Sequence, residues 1–188
     1  GNITRIFHKP QGFKLGDNQY SSDIFSKWSK SEKEAIGIYE VTIDDSNKKN
    51  PKWYSNTDQS FTYDASAKTV TATYGTATAR AHADVTTDGI VTPGLKTKLI
   101  RNLKIEVKNN LAKTDWYVTR KSEKSTAIPN NITTHRDAVR TKQAEMETAI
   151  TNAADTAALE TLYTYVNTGT EESPVWERPL GELPELES

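Results

Sequence analysis

Two hydrophobic periods run along this chain, and the change between them falls near its middle. From Ile38 to Ile43 the side chains alternate, with Ile38, Glu40 and Thr42 on one side and Tyr39, Val41 and Ile43 on the other, which is the two-residue period of a strand. Trp53, Tyr54, Phe61 and Tyr63 resume an aromatic strand, Asp64 to Lys68 carries turn chemistry, and Val70, Ala72 and Tyr74 return as a hairpin partner. Ahead of these, Ile3, Ile6 and Phe7 are scattered among polar residues, and Pro10, Gly12, Gly16, Asp17 and Asn18 punctuate a turn-rich entry. Ser22 to Ile36 holds Ile24, Phe25, Trp28, Ala35 and Ile36 with a capping box at Ser31 and Glu34, which predicts one short helix ending at Gly37. Residues 1–90 therefore read as a small, mostly antiparallel β unit with a short helix.

Asp88, Gly89, Pro93 and Gly94 mark the stretch from Thr86 to Gly94 as the expected boundary. Beyond it Leu95, Leu99, Ile100, Leu103, Val107 and Leu111 recur at three and four residues, an amphipathic helix of about four to five turns. Thr114 to Val118 is expected to leave that helix as a short extended piece, and Lys121 to Asn131 to form a loop containing Pro129. A second helix opening near Asn131 or Thr133 stacks Ile132, His135, Val139, Met146, Ile150 and Ala153. Asp155 caps a third, striped by Leu159, Leu162, Tyr163 and Val166 and stopped at Asn167 to Gly169. Residues 95–169 thus form a three-helix unit, and 170–188 an acidic tail in which Pro174, Pro179 and Pro184 forbid regular helix, leaving a strap or a disordered end. The fold class is α+β. No internal repeat supports a solenoid.

Composition adjusts this picture in one respect. Leu, Ile, Val and Phe make up 35 of 188 residues, near the roughly 20% below which disorder becomes a live alternative. A net charge of -1 with 4 Trp and 8 Tyr argues instead for a folded, core-poor protein. The 26 threonines favour strands and helix caps. No apolar run is long enough for a membrane helix and no charged-then-apolar leader opens the chain, so no membrane partner is expected. Zero Cys removes disulfides, Cys-zinc sites and thiol nucleophiles. Charge is uneven: Lys96 to Glu147 carries 12 basic and 6 acidic residues, and Thr170 to Ser188 carries 1 basic and 6 acidic, so the two segments can attract. A nucleic-acid groove is the sharper reading of the basic helices, but no interleaved aromatic platform or recognition-helix signature accompanies them, and a solvated face is preferred.

Candidate chemistry is sparse. His8, His82 and His135 lack metal-pair spacing. Asp44, Asp45, Asn47 and Asn50 lack the glycine a calcium loop needs at its sharp turn, and Lys48 and Lys49 put positive charge where the ion would sit. Asp84, and Asp88 with Gly89, read as turn formers. No nucleophile elbow, S-x-x-K or phosphate loop occurs, and nothing in the sequence pairs two carboxylates. N-I-T at Asn2 and Asn131 matches a glycosylation sequon, which has no consequence without export. Neither catalysis nor a cofactor, a metal or a small-molecule substrate is expected.

The most specific stretch runs from Asp115-Trp116-Tyr117-Val118 through Pro129 to His135-Arg136-Asp137-Ala138-Val139-Arg140. Trp116, leaving the first helix, is expected to be buried between the first two helices, and Pro129 to fix entry into the second. Arg136 and Arg140 are one turn apart and share a face suited to bidentate carboxylate binding. Asp115 is the nearest candidate, with the acidic tail or a partner chain as alternatives.

Thr114-Asp115-Trp116, Pro129, and Arg136, Val139 and Arg140 together resemble the C-terminal region of tail fibre assembly proteins of tailed bacteriophages, the tail assembly chaperone family. That region looks like a helix ending in T-D-W, a proline-containing loop and a helix opening Y-R-x-x-[LV]-R; His135 stands here in place of the tyrosine. Pro10-Gln11-Gly12-Phe13, the block from Trp28-Ser29 to Ala35-Ile36-Gly37-Ile38-Tyr39, and Trp176-Glu177-Arg178-Pro179-Leu180-Gly181 look similar to proteins of marine phages, including those of cyanobacteria. The resemblance implies a non-enzymatic tail or tail-fibre structural or assembly protein, present in the virion or in the infected host cytoplasm during assembly. Its partners would be a phage tail or fibre protein, or a second copy of this chain. The alternative is a host-surface glycan-binding module of a fibre, with Trp53, Tyr54, Phe61, Tyr63 and Tyr74 as its stacking platform, and a third class is a phage hydrolase.

Overall fold

The computed structural model describes residues 2–186. The chain is α+β and divides after Thr78 into two compact units.

The first unit opens with strands β1 (Phe13–Leu15) and β2 (Asn18–Tyr20), joined by a tight turn in which Gly16 takes φ +58°. A single helix was expected next. Instead α1 (Ile24–Lys27) and α2 (Lys30–Ala35) are separated at Trp28, whose backbone is extended. The capping box accordingly sits two residues earlier than the sequence reading placed it: Ser29 Oγ accepts the Glu32 N–H, and Glu32 Oε2 accepts the Ser29 N–H at 2.8 Å. Phe7, Phe13, Phe25, Tyr20 and Trp28 pack as one aromatic cluster with neighbouring ring centroids 4.9 to 6.1 Å apart.

Strands β3 (Val41–Asp44), β4 (Tyr54–Ser55), β5 (Gln59–Asp64) and β6 (Thr69–Tyr74) follow. The hairpin of β5 and β6 has the register Tyr63 opposite Val70 and Phe61 opposite Ala72, and β3 adds to the other edge of β6 in parallel, giving the order β3-β6-β5. The pleat puts Val41, Val70, Ala72, Phe61 and Tyr63 on one face and Thr42, Thr71, Thr73, Ser60 and Thr62 on the other. Only the first face carries buried residues, Val70 and Ala72.

Strand β7 (Thr78–Ala79) straddles the division, and β8 (Val85–Thr87) and β9 (Ile90–Thr92) form a hairpin turned by Asp88 and Gly89 at φ +50° and +77°. The expected linker is thus structured. It belongs with the helices, because the Leu95 and Lys96 N–H groups donate to Ala81 O and His82 O, and Thr156 Oγ1 donates to Arg80 O at 2.6 Å. Gly94 is required where the backbones meet: a Cβ there would lie 2.2 Å from Ala83 O.

Four helices follow where three were expected: α3 (Leu95–Ala112), α4 (Asp115–Lys124), α5 (Asn130–Asn152) and α6 (Thr156–Tyr163). The extra one is α4, which occupies the stretch read as extended; Asp115 in its first turn and Lys121 and Lys124 in its last suit the helix dipole. Leu95, Leu99, Leu103 and Val107 of α3, spaced by four, pack on Ile132, Val139, Met146 and Ile150 of α5 and form the core. Asp155 caps α6 by accepting the Ala158 N–H at 2.8 Å.

The tail is a strap. Strands β10 (Val166–Asn167) and β11 (Trp176–Glu177) pair, Leu180 is buried and its N–H donates to Leu162 O, and Pro184 O accepts from Asn110 Nδ2 of α3. The expected attraction of the tail to the basic helices takes another form: Arg178, lying over the rings of Tyr163 and Tyr165, pairs with Glu182 of the tail itself at 2.6 Å. Among the described residues no helix is long and apolar enough to cross a membrane.

Candidate functional site

The corner where α3 gives way to α4 is held by one cation from α5. Thr114 is buried in that corner and its hydroxyl donates to Leu111 O at 3.0 Å. Arg136 Nη1 reaches Leu111 O at 2.9 Å, Thr114 Oγ1 at 2.7 Å and Asp115 Oδ1 at 2.9 Å. The first acceptor is a carbonyl at the end of α3 that also accepts the Thr114 N–H at 3.0 Å, and the last is the first residue of α4, so one guanidinium nitrogen ties three helices together. The expected two-pronged carboxylate fork is absent because three acceptors share that nitrogen's two hydrogens.

Arg140 does not join the clamp. It pairs with Asp137 on its own helix at 3.1 Å and is half exposed. Four residues further on, it lies about 6 Å along the axis from Arg136, beyond the corner. Pro129, the residue flanking the start of α5, has φ -55° and ψ 144°, and its carbonyl accepts the N–H groups of Ile132 and Thr133. Next along the same helix, His135 is buried with Nε2 2.9 Å from Asn110 Oδ1, and Asn110 passes the connection on to Pro184 of the strap.

Trp116 is not buried between helices; it is 52% exposed. Because α4 is helical, Thr114 plugs the corner and the following side chains turn outward. On that outer surface the rings of Trp116 and Tyr117 lie 3.9 Å apart, and the Arg120 guanidinium sits 4.6 Å from the first and 5.3 Å from the second. Arg120 Nε is covered and has no hydrogen-bond partner among the described residues. The sequence reading missed Arg120; the signal was there in its four-residue spacing from Trp116, visible only once the segment is known to be helical. An exposed indole backed by a half-buried phenol and a guanidinium over both rings can bury large area at little entropy cost and offer charged donors to a partner.

The remaining candidates scatter. Trp53 is only 2% exposed, and Tyr54, Phe61, Tyr63 and Tyr74 are half-buried, with Lys48 over the Tyr74 ring, so no exposed aromatic row assembles. Asp84, read as a turn former, instead braces the start of α3: its Oδ1 accepts the Gly94 N–H at 2.8 Å and the Thr97 hydroxyl at 2.6 Å. Those donors, Thr97 first, hold its carboxyl below the usual range. No protein-family model, curated protein or solved structure matches this chain.

Proposed function

We propose that this protein is a non-enzymatic tail or tail-fibre assembly component of a tailed bacteriophage, acting through protein contacts on the outer face of α4. The observation that carries the contact reading is the exposed Trp116, with the half-buried Tyr117 and Arg120 packed against it, on a helix clamped at its base by Arg136. Trp, Tyr and Arg are the residue types that dominate binding energy at protein interfaces, and a rigid base lowers the ordering cost of using them. The resemblance of Thr114-Asp115-Trp116 and Arg136 to the tail assembly chaperone region supplies the phage assignment.

The test is co-purification of the full chain from phage-infected cells, with bound tail and fibre proteins identified by mass spectrometry. Trp116→Ala with Arg120→Ala should fold normally by circular dichroism and lose those proteins. A double variant that retains them removes α4 as the contact, and an unaltered chain that retains neither tail nor fibre proteins removes the phage assignment.

A further inference from the structure

The first unit contains a partly open recess of about 990 Å³, unrelated to α4. Its floor is the apolar face of the three-stranded sheet at Phe61 and Val70, and its back wall is the cluster of Phe7, Phe13 and Phe25. Folded interiors pack about as densely as organic crystals, and voids much larger than a water are few. A recess of this size, lined by rings and aliphatic groups, is at the upper end of ligand pockets, which run from about 300 to 1,000 Å³.

The polar groups on its lining are not neutral in sum. Glu40 is the one carboxylate there, and it is engaged by Lys33, Nζ to Oε1 2.8 Å, with the lysine side chain largely buried. That leaves Arg5 and Lys14, neither of which has an anionic partner among the described residues; the Arg5 guanidinium lies 4.8 Å over the Phe7 ring. The tilted rings of Tyr39 and Tyr63 lie with centroids 4.7 Å apart on the same lining. An apolar body fits the walls, and one anionic headgroup satisfies the unmatched positive charge.

From this arrangement we infer that the first unit binds a small amphipathic anion, an apolar or aromatic body bearing a single carboxylate or sulfonate, with its headgroup toward Arg5 and Lys14. The sequence reading expects no small-molecule partner; the recess arises only when the N-terminal segment, β1, α1 and the sheet are brought together. The site is independent of the contact face on α4, so either can fail without the other.

The test uses the full chain with dodecanoate, its neutral counterpart dodecanol, and the fluorescent probe 1-anilinonaphthalene-8-sulfonate. The probe should bind saturably with one site per chain, dodecanoate should displace it, and dodecanol should need at least about ten times the concentration. Arg5→Glu with Lys14→Glu should weaken dodecanoate by a similar factor while leaving dodecanol unchanged. Ile6→Trp, which fills the recess without altering charge, should weaken both. Failure of saturable binding, or equal affinity of the unaltered chain for dodecanoate and dodecanol, overturns the inference. The second criterion needs no variant, so it still decides if a charge reversal impairs folding.

Discussion

Arg136 and Asp115 are twenty-one residues apart in sequence, yet the guanidinium of the first lies 2.9 Å from the carboxylate of the second. The carboxylate is largely exposed and the guanidinium side chain is only 11% exposed, so the ion pair is the outer edge of a contact whose inner members are Leu111 O and Thr114 Oγ1. A surface pair of this kind contributes little by itself. The larger effect comes from the buried end of the contact, where Thr114 Oγ1 loses its guanidinium donor if the arginine is removed and Leu111 O keeps only the Thr114 N–H and hydroxyl.

Arg136→Ala should therefore destabilise the protein by about 2 kcal/mol, the scale for losing hydrogen bonds to a charged group. For a chain of this size that is roughly 4 to 8 °C in melting temperature. Arg140→Ala, which removes only an exposed pair on one helix, should leave it unchanged. Differential scanning calorimetry of both variants separates them, and equal losses would contradict the clamp.

Trp116→Ala should leave thermal stability near that of the unaltered chain, because half of the indole is already in water. Ile150→Ala, at a fully buried position in α5, should cost about 2 to 5 kcal/mol. If Trp116→Ala proves as damaging as Ile150→Ala, the outward orientation of Trp116 is wrong.

The brace that Asp84 gives the start of α3 makes stability depend on acid. Its folded carboxyl is held below the ordinary value of 3.8 by Thr97 and Gly94, so its contribution is present above that value and is lost as pH falls through the lowered folded one. Asp84→Asn can still accept both hydrogen bonds but does not titrate. The melting temperature of the unaltered chain should exceed that of Asp84→Asn near neutral pH, and the gap should begin to narrow only below about pH 4. A gap that does not narrow at all as the pH is lowered below about 4 would exclude this cause.

At the alkaline end the sign reverses. Burial pushes the Tyr163 phenol up to about 12, with nearby Arg178 opposing and Glu106 adding to the shift. A raised value favours the protonated form in the folded state, so this contribution is complete below the ordinary value near 10 and is lost as pH rises toward 12. Absorbance titration at 295 nm should show a late-ionising phenol that Tyr163→Phe removes, and that variant should lose less stability than the parent between pH 10 and 12. An unchanged late phase would assign it to another tyrosine.

Residues 79–188 should unfold cooperatively as a separate fragment, whereas 95–188 should melt at lower temperature. The shorter fragment lacks the Asp84 brace, the Ala81 and His82 acceptors for the start of α3, and the Arg80 carbonyl that Thr156 uses. Equal melting temperatures would show that the β8–β9 hairpin contributes nothing to the helical unit.

What the sequence by itself determined is what local periodicity and local caps can encode. The α+β class, the hairpin of Phe61 and Tyr63 with Val70 and Ala72, the apolar stripes of α3 and α5, and the Asp155 cap all depend on residues within a few positions of one another. Each was legible because pairing and packing there follow a period of two or of three to four. What only the tertiary structure decided depends on atoms distant in the chain. Asp115 to Val118 read as extended because the stretch has no apolar stripe, and it is a helix whose start Arg136, arriving from α5, ties to the end of α3 through Leu111 O, Thr114 Oγ1 and Asp115 Oδ1. The turn-rich residues before Leu95 read as a linker because turn chemistry is the same in a linker and in a hairpin; acceptors at Arg80, Ala81 and His82 attach them to the helices. Trp116 faces water and the acidic tail straps the helical unit for the same reason. Hydrophobicity says that a side chain favours burial, but which one is buried is set by which partner surface the fold places over it, and no local pattern carries that information.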